Sequence, residues 1–177
     1  MEYGNIETVE LDELAKRFDL PHLVTLDTVR NYGNTIRTKL LCEICGKTSI
    51  PMVMFEELIK IDNEFQGLAL SSEEVFKQAH THIPFDSDPR VYFLIEDGEI
   101  VYIGQTCCIC ARIATHAGAV DGVKKFDKVT TISVKRELLK ITETVNIRKY
   151  KPRLNRDIMS NENYLKEVLK SSSLADF

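Results

Sequence analysis

Several things are missing from this sequence, and each absence narrows what the chain can be. No apolar run approaches the roughly 18 residues of a membrane span, so no membrane partner is expected. The opening residues, MEYGNIETVELDELAKRF, are acidic and lack the apolar core of a secretory signal. A soluble, cytoplasmic protein is the expectation. An even cysteine count is also lacking. The 5 cysteines, three of them crowded into CCIC, do not suit the disulfide framework of a small secreted domain. No internal repeat or low-complexity segment is present. Nor is there an excess of positive charge: the formal net charge of −4 argues by itself against nucleic acid as a partner.

What is present reverses that last impression. The 177 residues suffice for one ordinary domain or two small ones, and 44% hydrophobic with 28% charged residues is a globular balance. Residues 1–87 carry 8 Lys/Arg against 15 Asp/Glu, residues 88–156 carry 13 against 8, and residues 157–177 carry 2 against 4. A basic middle module therefore sits between an acidic front and a mildly acidic tail. That asymmetry points to a polyanion partner for one segment. Chance clustering on a solvated surface is the plainer alternative.

Residues 9–18, VELDELAKRF, place Leu11, Leu14, Ala15 and Phe18 at helical spacing. Pro21 then disfavours helical geometry at Leu20. A second short helix through LDTVRNY, ended by Gly33, would complete a helix-turn-helix outline or an ordinary helical hairpin. Cys42-x-x-Cys45-Gly-Lys has the form of a zinc-knuckle turn. It is half a site, because structural zinc takes four ligands. His80 and His82 are the available partners, and they follow a helix whose start fits a capping box from Ser71 to Glu74. The other reading is two half-buried cysteines and two surface histidines. The loop PFDSDPR, Pro84 to Arg90, marks the domain boundary. Residues 1–87 are then an acidic, mainly helical N-terminal domain, 88–157 a second domain, and 158–177 a helix and tail.

In that second domain RVYFLIE and EIVYIGQ are β-type runs joined by Asp97-Gly98, a strong hairpin signal. A helix from about Cys108 to Ala117, a third strand in FDKVTTISV and a helix in KRELLKITETVNIRKY follow. The order predicts an α+β fold, a small three-stranded antiparallel sheet flanked by helices. CCIC reads most simply as small residues at a helix start. A metal or redox role for Cys107, Cys108 and Cys110 is the alternative.

Some polar residues fall where packing alone would not ask for them. Arg112 and His116, four apart, share a helix face, while Ile109 and Ile113 form an adjacent stripe. Glu143 sits among Leu139, Ile147 and Tyr150 in an apolar stripe. A carboxylate there costs several kcal/mol unless it is paired, binds a metal or faces a cleft. An internal Glu143–Arg112 ion pair would explain it without any activity.

Taken together, the segment from Val91 to Asn155 resembles the GIY-YIG nuclease family. RVY stands where the first motif would be and VYIG where the second would be, with Tyr92 and Tyr102 ten apart. Arg112 follows ten residues after Tyr102, His116 four later, and Glu143 precedes the closing KPRLN with Asn155. The sequence departs from the family at Arg90 and Val91, and at Gln105, where a lysine is common. The resemblance covers about 65 of the 177 residues and leaves the N-terminal half outside.

The resemblance implies a metal-dependent DNA endonuclease, restriction-like or homing-like, that hydrolyses phosphodiester bonds. It implies Mg²⁺ or Mn²⁺ held by Glu143. Arg112 would hold the phosphate. Tyr92, first among the two tyrosines, would take a proton from the attacking water, with His116 relaying it and Tyr102 orienting water or phosphate. Asn155 would fix a tyrosine hydroxyl or a phosphate. A tyrosine pKa of about 10 must fall for that role. The sequence leaves the choice of basic tyrosine open. Cutting both strands calls for a homodimer or sequential nicking. Two other readings stand beside it: a non-catalytic DNA-binding regulator that keeps the fold as a scaffold, and a zinc-supported module acting on a protein partner.

Overall fold

The structure is a computed structural model and describes residues 8–19, 49–118, 124–155 and 161–172. Among these the elements run β1 (Thr8–Glu10), α1 (Leu11–Arg17), β2 (Ser49–Pro51), α2 (Met52–Gln66), α3 (Ser72–Lys77), β3 (Arg90–Glu96), β4 (Glu99–Thr106), α4 (Ile109–Ala117), β5 (Lys128–Ser133), a 3-10 turn (Arg136–Leu138), α5 (Leu139–Tyr150) and α6 (Asn161–Ser171). They divide into two units, residues 1–64 with 159–177, and residues 65–158. No helix of the described residues is long and apolar enough to cross a membrane.

In the first unit β1 pairs antiparallel with β2, Val9 opposite Ile50. Taking Thr8–Glu10 into that pair delays the helix expected from residue 9 until Leu11. Leu14, Phe18, Leu58, Ile61, Tyr164, Leu165, Val168 and Leu169 are buried. Asp62 is buried as well, with the Arg17 guanidinium 2.8 Å from one oxygen and the Tyr164 hydroxyl donating to the other at 2.8 Å. The partners offset the cost of taking a carboxylate out of water. The second helix of the helix-turn-helix outline, and Cys42 and Cys45, lie outside the described residues.

The second unit is an antiparallel sheet in the order β4-β3-β5, and the fold is α+β. Asp97 and Gly98 have φ of 49° and 79°, the left-handed pair that a two-residue hairpin needs to match strand twist. Val91, Phe93 and Ile95 of β3 face one side, where they pack with Val75 of α3 and with Leu139 and Ile147 of α5. Tyr92 and Leu94 face the other, with Ile109 and Ile113 of α4 and Val129 of β5. Residue-by-residue alternation thus gives β3 two buried faces.

The loop from Pro84 to Arg90 does not separate the units, although the sequence suggests a boundary there. They divide at Glu64 and Phe65. Residues 65–87 belong with the sheet because they supply part of its core and its hydrogen bonds. Val75 is fully buried, and the Thr130 hydroxyl donates to its carbonyl at 2.6 Å. His80 and Val129 form a β-bridge. The buried Asn146 accepts from the Leu70 amide at 2.9 Å, and the Tyr150 hydroxyl donates to the Leu70 carbonyl at 2.6 Å. The expected capping box is present: Glu74 accepts from the Ser71 amide at 2.7 Å, and Ser71 accepts from the Glu74 amide at 3.2 Å. The Pro84–Arg90 loop is itself pinned, since both carboxylate oxygens of Asp86 accept from Arg90, at 3.1 and 2.6 Å.

Candidate active site

Strict alternation through the hairpin would not bring Tyr102 beside Tyr92. From the turn, Glu96 pairs with Glu99 and Ile95 with Ile100. Continuing that register would set Tyr102 opposite Phe93, on the face away from Tyr92. A bulge at Leu94/Ile95 shifts the pairing so that Leu94 meets Tyr102 and Tyr92 meets Gly104. One extra residue on β4 therefore re-aims Tyr102. The two rings end 6.1 Å apart between centroids.

Gly104 is the second local requirement. A Cβ there would overlap the Tyr92 hydroxyl, lie 2.6 Å from Tyr92 Cζ and 2.9 Å from Tyr102 Cε1. The glycine of the YIG triplet is thus the space that the Tyr92 ring occupies.

On α4, Ile109 and Ile113 are buried against the sheet, and Arg112 and His116 share the neighbouring face. His116 Nε2 is 2.7 Å from the Tyr92 hydroxyl, and Arg112 Nε donates to the same oxygen at 3.3 Å. The Tyr102 ring meets the His116 ring edge-on at 5.0 Å. Lys124, which the sequence gives no reason to select, also joins the group. Its ammonium is 3.1 Å from His116 Nδ1 and 4.3 Å from the centre of the Tyr102 ring.

Glu143 is half-buried on α5, between Leu139 and Ile147 as its spacing predicts. Its partner is Gln105, whose side-chain amide donates to it at 2.8 Å. Gln105 therefore grips the carboxylate from β4. Burial raises the Glu143 pKa above the usual carboxylate range, while Gln105 and the charges of Arg112 and Lys140 oppose the rise. Among the described residues Glu143 and Arg112 form no direct ion pair; Arg112 acts on the carboxylate through its charge. Arg112 itself holds its proton more tightly, chiefly through its bond to Tyr92.

Burial likewise dominates at Tyr92. The residue is fully enclosed, and its pKa rises well above the ordinary tyrosine value, with Arg112 opposing and Tyr102 adding to the rise. The lowering that a basic role requires is thus not supplied by Arg112 alone.

Tyr92, Tyr102, Arg112 and His116 are brought into one cluster, and Glu143 is linked to it by the charge of Arg112. Asn155 is not part of the cluster. Its side-chain oxygen accepts from the Ile103 amide at 2.9 Å and its nitrogen donates to the Ile103 carbonyl at 2.7 Å. Both polar atoms bond the outer edge of β4, where the side chain acts as a backbone mimic. Leu154 continues the pairing by donating to the Val101 carbonyl at 3.0 Å.

The remaining candidates lie elsewhere. Cys107 packs on the α5 side of the sheet and Cys110 on the α4 side, and Cys108 is exposed before α4; all three are free thiols. His80 and His82 are exposed beside a cavity of about 370 Å³ lined also by Gln78, Ile83, Pro84, Val129 and Thr131. Among the described residues no three His, Cys, Asp or Glu side chains gather in a way that would hold a metal ion by themselves.

Protein-family models, curated proteins and solved structures were each compared with this chain, and none matches it.

Proposed function

We propose that the chain is a divalent-metal-dependent endonuclease that hydrolyses DNA phosphodiester bonds, in the manner of the GIY-YIG enzymes that residues 91–155 resemble. One observation supports this most: a buried tyrosine hydroxyl flanked by an arginine at 3.3 Å and a histidine at 2.7 Å, with the arginine's field reaching a half-buried glutamate. Packing does not ask for such a group, and perturbed ionisable residues gathered in this way mark functional sites.

The donor set fits magnesium or manganese. One carboxylate is enough when water and phosphate oxygens complete the shell. Desolvated Glu143 gains from a cation, since burial disfavours its charge and Gln105 offers only a neutral amide. When bound, the ion would supply positive charge to the phosphate and to the leaving oxygen.

The chain's own residues do the rest. Arg112 is exposed enough to meet a phosphate while keeping its bond to Tyr92. Its fixed donors match phosphate oxygens as charge builds on them. Tyr92 takes the proton of the attacking water, because Arg112 already donates to its oxygen and favours the phenolate. Burial opposes that ionisation, and so does the negative charge of a phosphate, so the positive charge of Arg112 and of a bound ion would have to offset both. Tyr102 walls the site and orients its contents. The basic segment 88–156, with 13 Lys/Arg against 8 Asp/Glu, grips the backbone without reading bases. Restriction-like and homing-like roles both fit this site.

The test is nicking of supercoiled plasmid with Mg²⁺ or Mn²⁺. Arg112→Ala should slow it by about 10²–10³-fold, the range for loss of one charge-stabilising donor. The enclosure of Tyr92 favours a second reading, a DNA-binding regulator without catalysis. Plasmid that stays intact with every divalent ion, while bound tightly by the protein, would select that reading.

A further inference from the structure

We propose that Lys124 is a positioning residue that fixes the tautomer of His116 and so decides what the imidazole does for Tyr92. The consequence for cleavage rests on the nuclease reading; the tautomer assignment does not.

Lys124 is held in place by contacts of its backbone and its ammonium. Its amide donates to the His116 carbonyl at 3.3 Å, its ammonium lies 3.1 Å from His116 Nδ1, and the same ammonium sits 4.3 Å from the centre of the Tyr102 ring. The first ties the backbone to the end of α4. The third is a cation–π contact, which fixes the direction of approach. Lysine is charged at neutral pH and has donors only. Nδ1 beside it must therefore be the bare, accepting nitrogen. A neutral imidazole then carries its hydrogen on Nε2, and that hydrogen faces the Tyr92 oxygen 2.7 Å away.

The groups that face His116 include Tyr92 from β3, Tyr102 from β4 and Lys124 from the segment before β5, and Arg112 lies one turn away on its own helix and bonds the same Tyr92 oxygen. Tyr92 can then receive two hydrogens, one from Nε2 and one from Arg112 Nε. The Tyr92 hydrogen is turned away from the imidazole. His116 acts as a donor that stabilises a phenolate rather than as the proton relay that the sequence pattern suggests. In the other tautomer the imidazole would accept from Tyr92 and withdraw one of those two donors. A lysine here does what a carbonyl or carboxylate does behind many histidines, with opposite sign and opposite tautomer.

The experiment is long-range ¹H–¹⁵N NMR of the histidines in the full chain without DNA, with His116 assigned from a His116→Gln spectrum. Wild type should show the Nε2–H form of His116. Lys124→Met should bring the Nδ1–H form to a comparable population, and Lys124→Arg should restore the wild-type pattern. Plasmid nicking should fall about 10–100-fold in Lys124→Met and recover in Lys124→Arg, as expected for a misplaced group outside the reacting atoms. An Nδ1–H wild type, or a Lys124→Met spectrum identical to wild type, overturns the proposal. A variant that nicks at the wild-type rate overturns its consequence. An Nε2–H wild type that nicks nothing upholds the assignment and defeats the nuclease reading instead.

Discussion

At the scale of single residues, the site is a set of compromises between burial and charge. Glu143 illustrates the sign. Its folded pKa lies above the ordinary 4.5 because burial penalises the ionised form. The contribution is therefore most favourable below the unfolded pKa and declines as pH rises through the folded one. Glu143→Gln keeps the shape and removes the charge. The variant should be more stable than wild type at pH 7, with the gap closing towards pH 4, in urea melts at both pH values. Mg²⁺ should raise the melting temperature of wild type and not that of the variant. Gly104→Ala makes the opposite point about space. Its methyl would collide with the Tyr92 ring, and overpacking of this kind costs about 1–3 kcal/mol. Urea melts measure that loss, and nicking by the variant should fall further than the stability change explains, because Tyr92 moves. Most of the polar cluster is legible in the sequence: the spacing of Arg112 from His116 and the misfit of Glu143 in an apolar stripe are properties of a helix alone. Gly104 and Lys124 are not legible in that way. Gly104 matters through what lies opposite it across the hairpin, and Lys124 through a contact that a loop creates.

At the scale of elements, pattern predicts existence better than register. The hairpin follows from Asp97-Gly98, and α4 and α5 from their apolar spacing. The bulge at Leu94/Ile95 carries no marker, since every residue around it is a good strand former. It is nevertheless what sets Tyr102 beside Tyr92. The segment Pro152–Asn155 explains how a bulged edge strand is kept in place. It covers the outer edge of β4, with Leu154 bonded at Val101 and Asn155 at Ile103. The family resemblance points Asn155 at chemistry, but its bonds point it at the strand. Asn155→Ala leaves the Ile103 amide and carbonyl without those partners, at about 1–3 kcal/mol for buried groups left unsatisfied. Hydrogen exchange at the Ile103 amide should accelerate accordingly. Unchanged protection there would show that the strand edge does not depend on Asn155.

At the scale of the whole molecule, the loop at Pro84–Arg90 misleads because polarity marks a turn in the chain, not a break in the core. Val75 is buried under the sheet that begins after that loop. A fragment of residues 65–158 should therefore melt cooperatively, and one of residues 88–158 should not, as circular dichroism would report. The charge division works at this scale too. If the basic middle segment grips phosphates, DNA affinity should fall linearly with salt on logarithmic axes. The account as a whole stands on Glu143 and the tyrosine cluster serving one phosphodiester. The most direct measurement is plasmid nicking in Mg²⁺ by wild type and by Glu143→Ala of equal fold, judged by circular dichroism. The account predicts nicking by wild type that EDTA stops and that Glu143→Ala lacks. Equal nicking by the two proteins would contradict it.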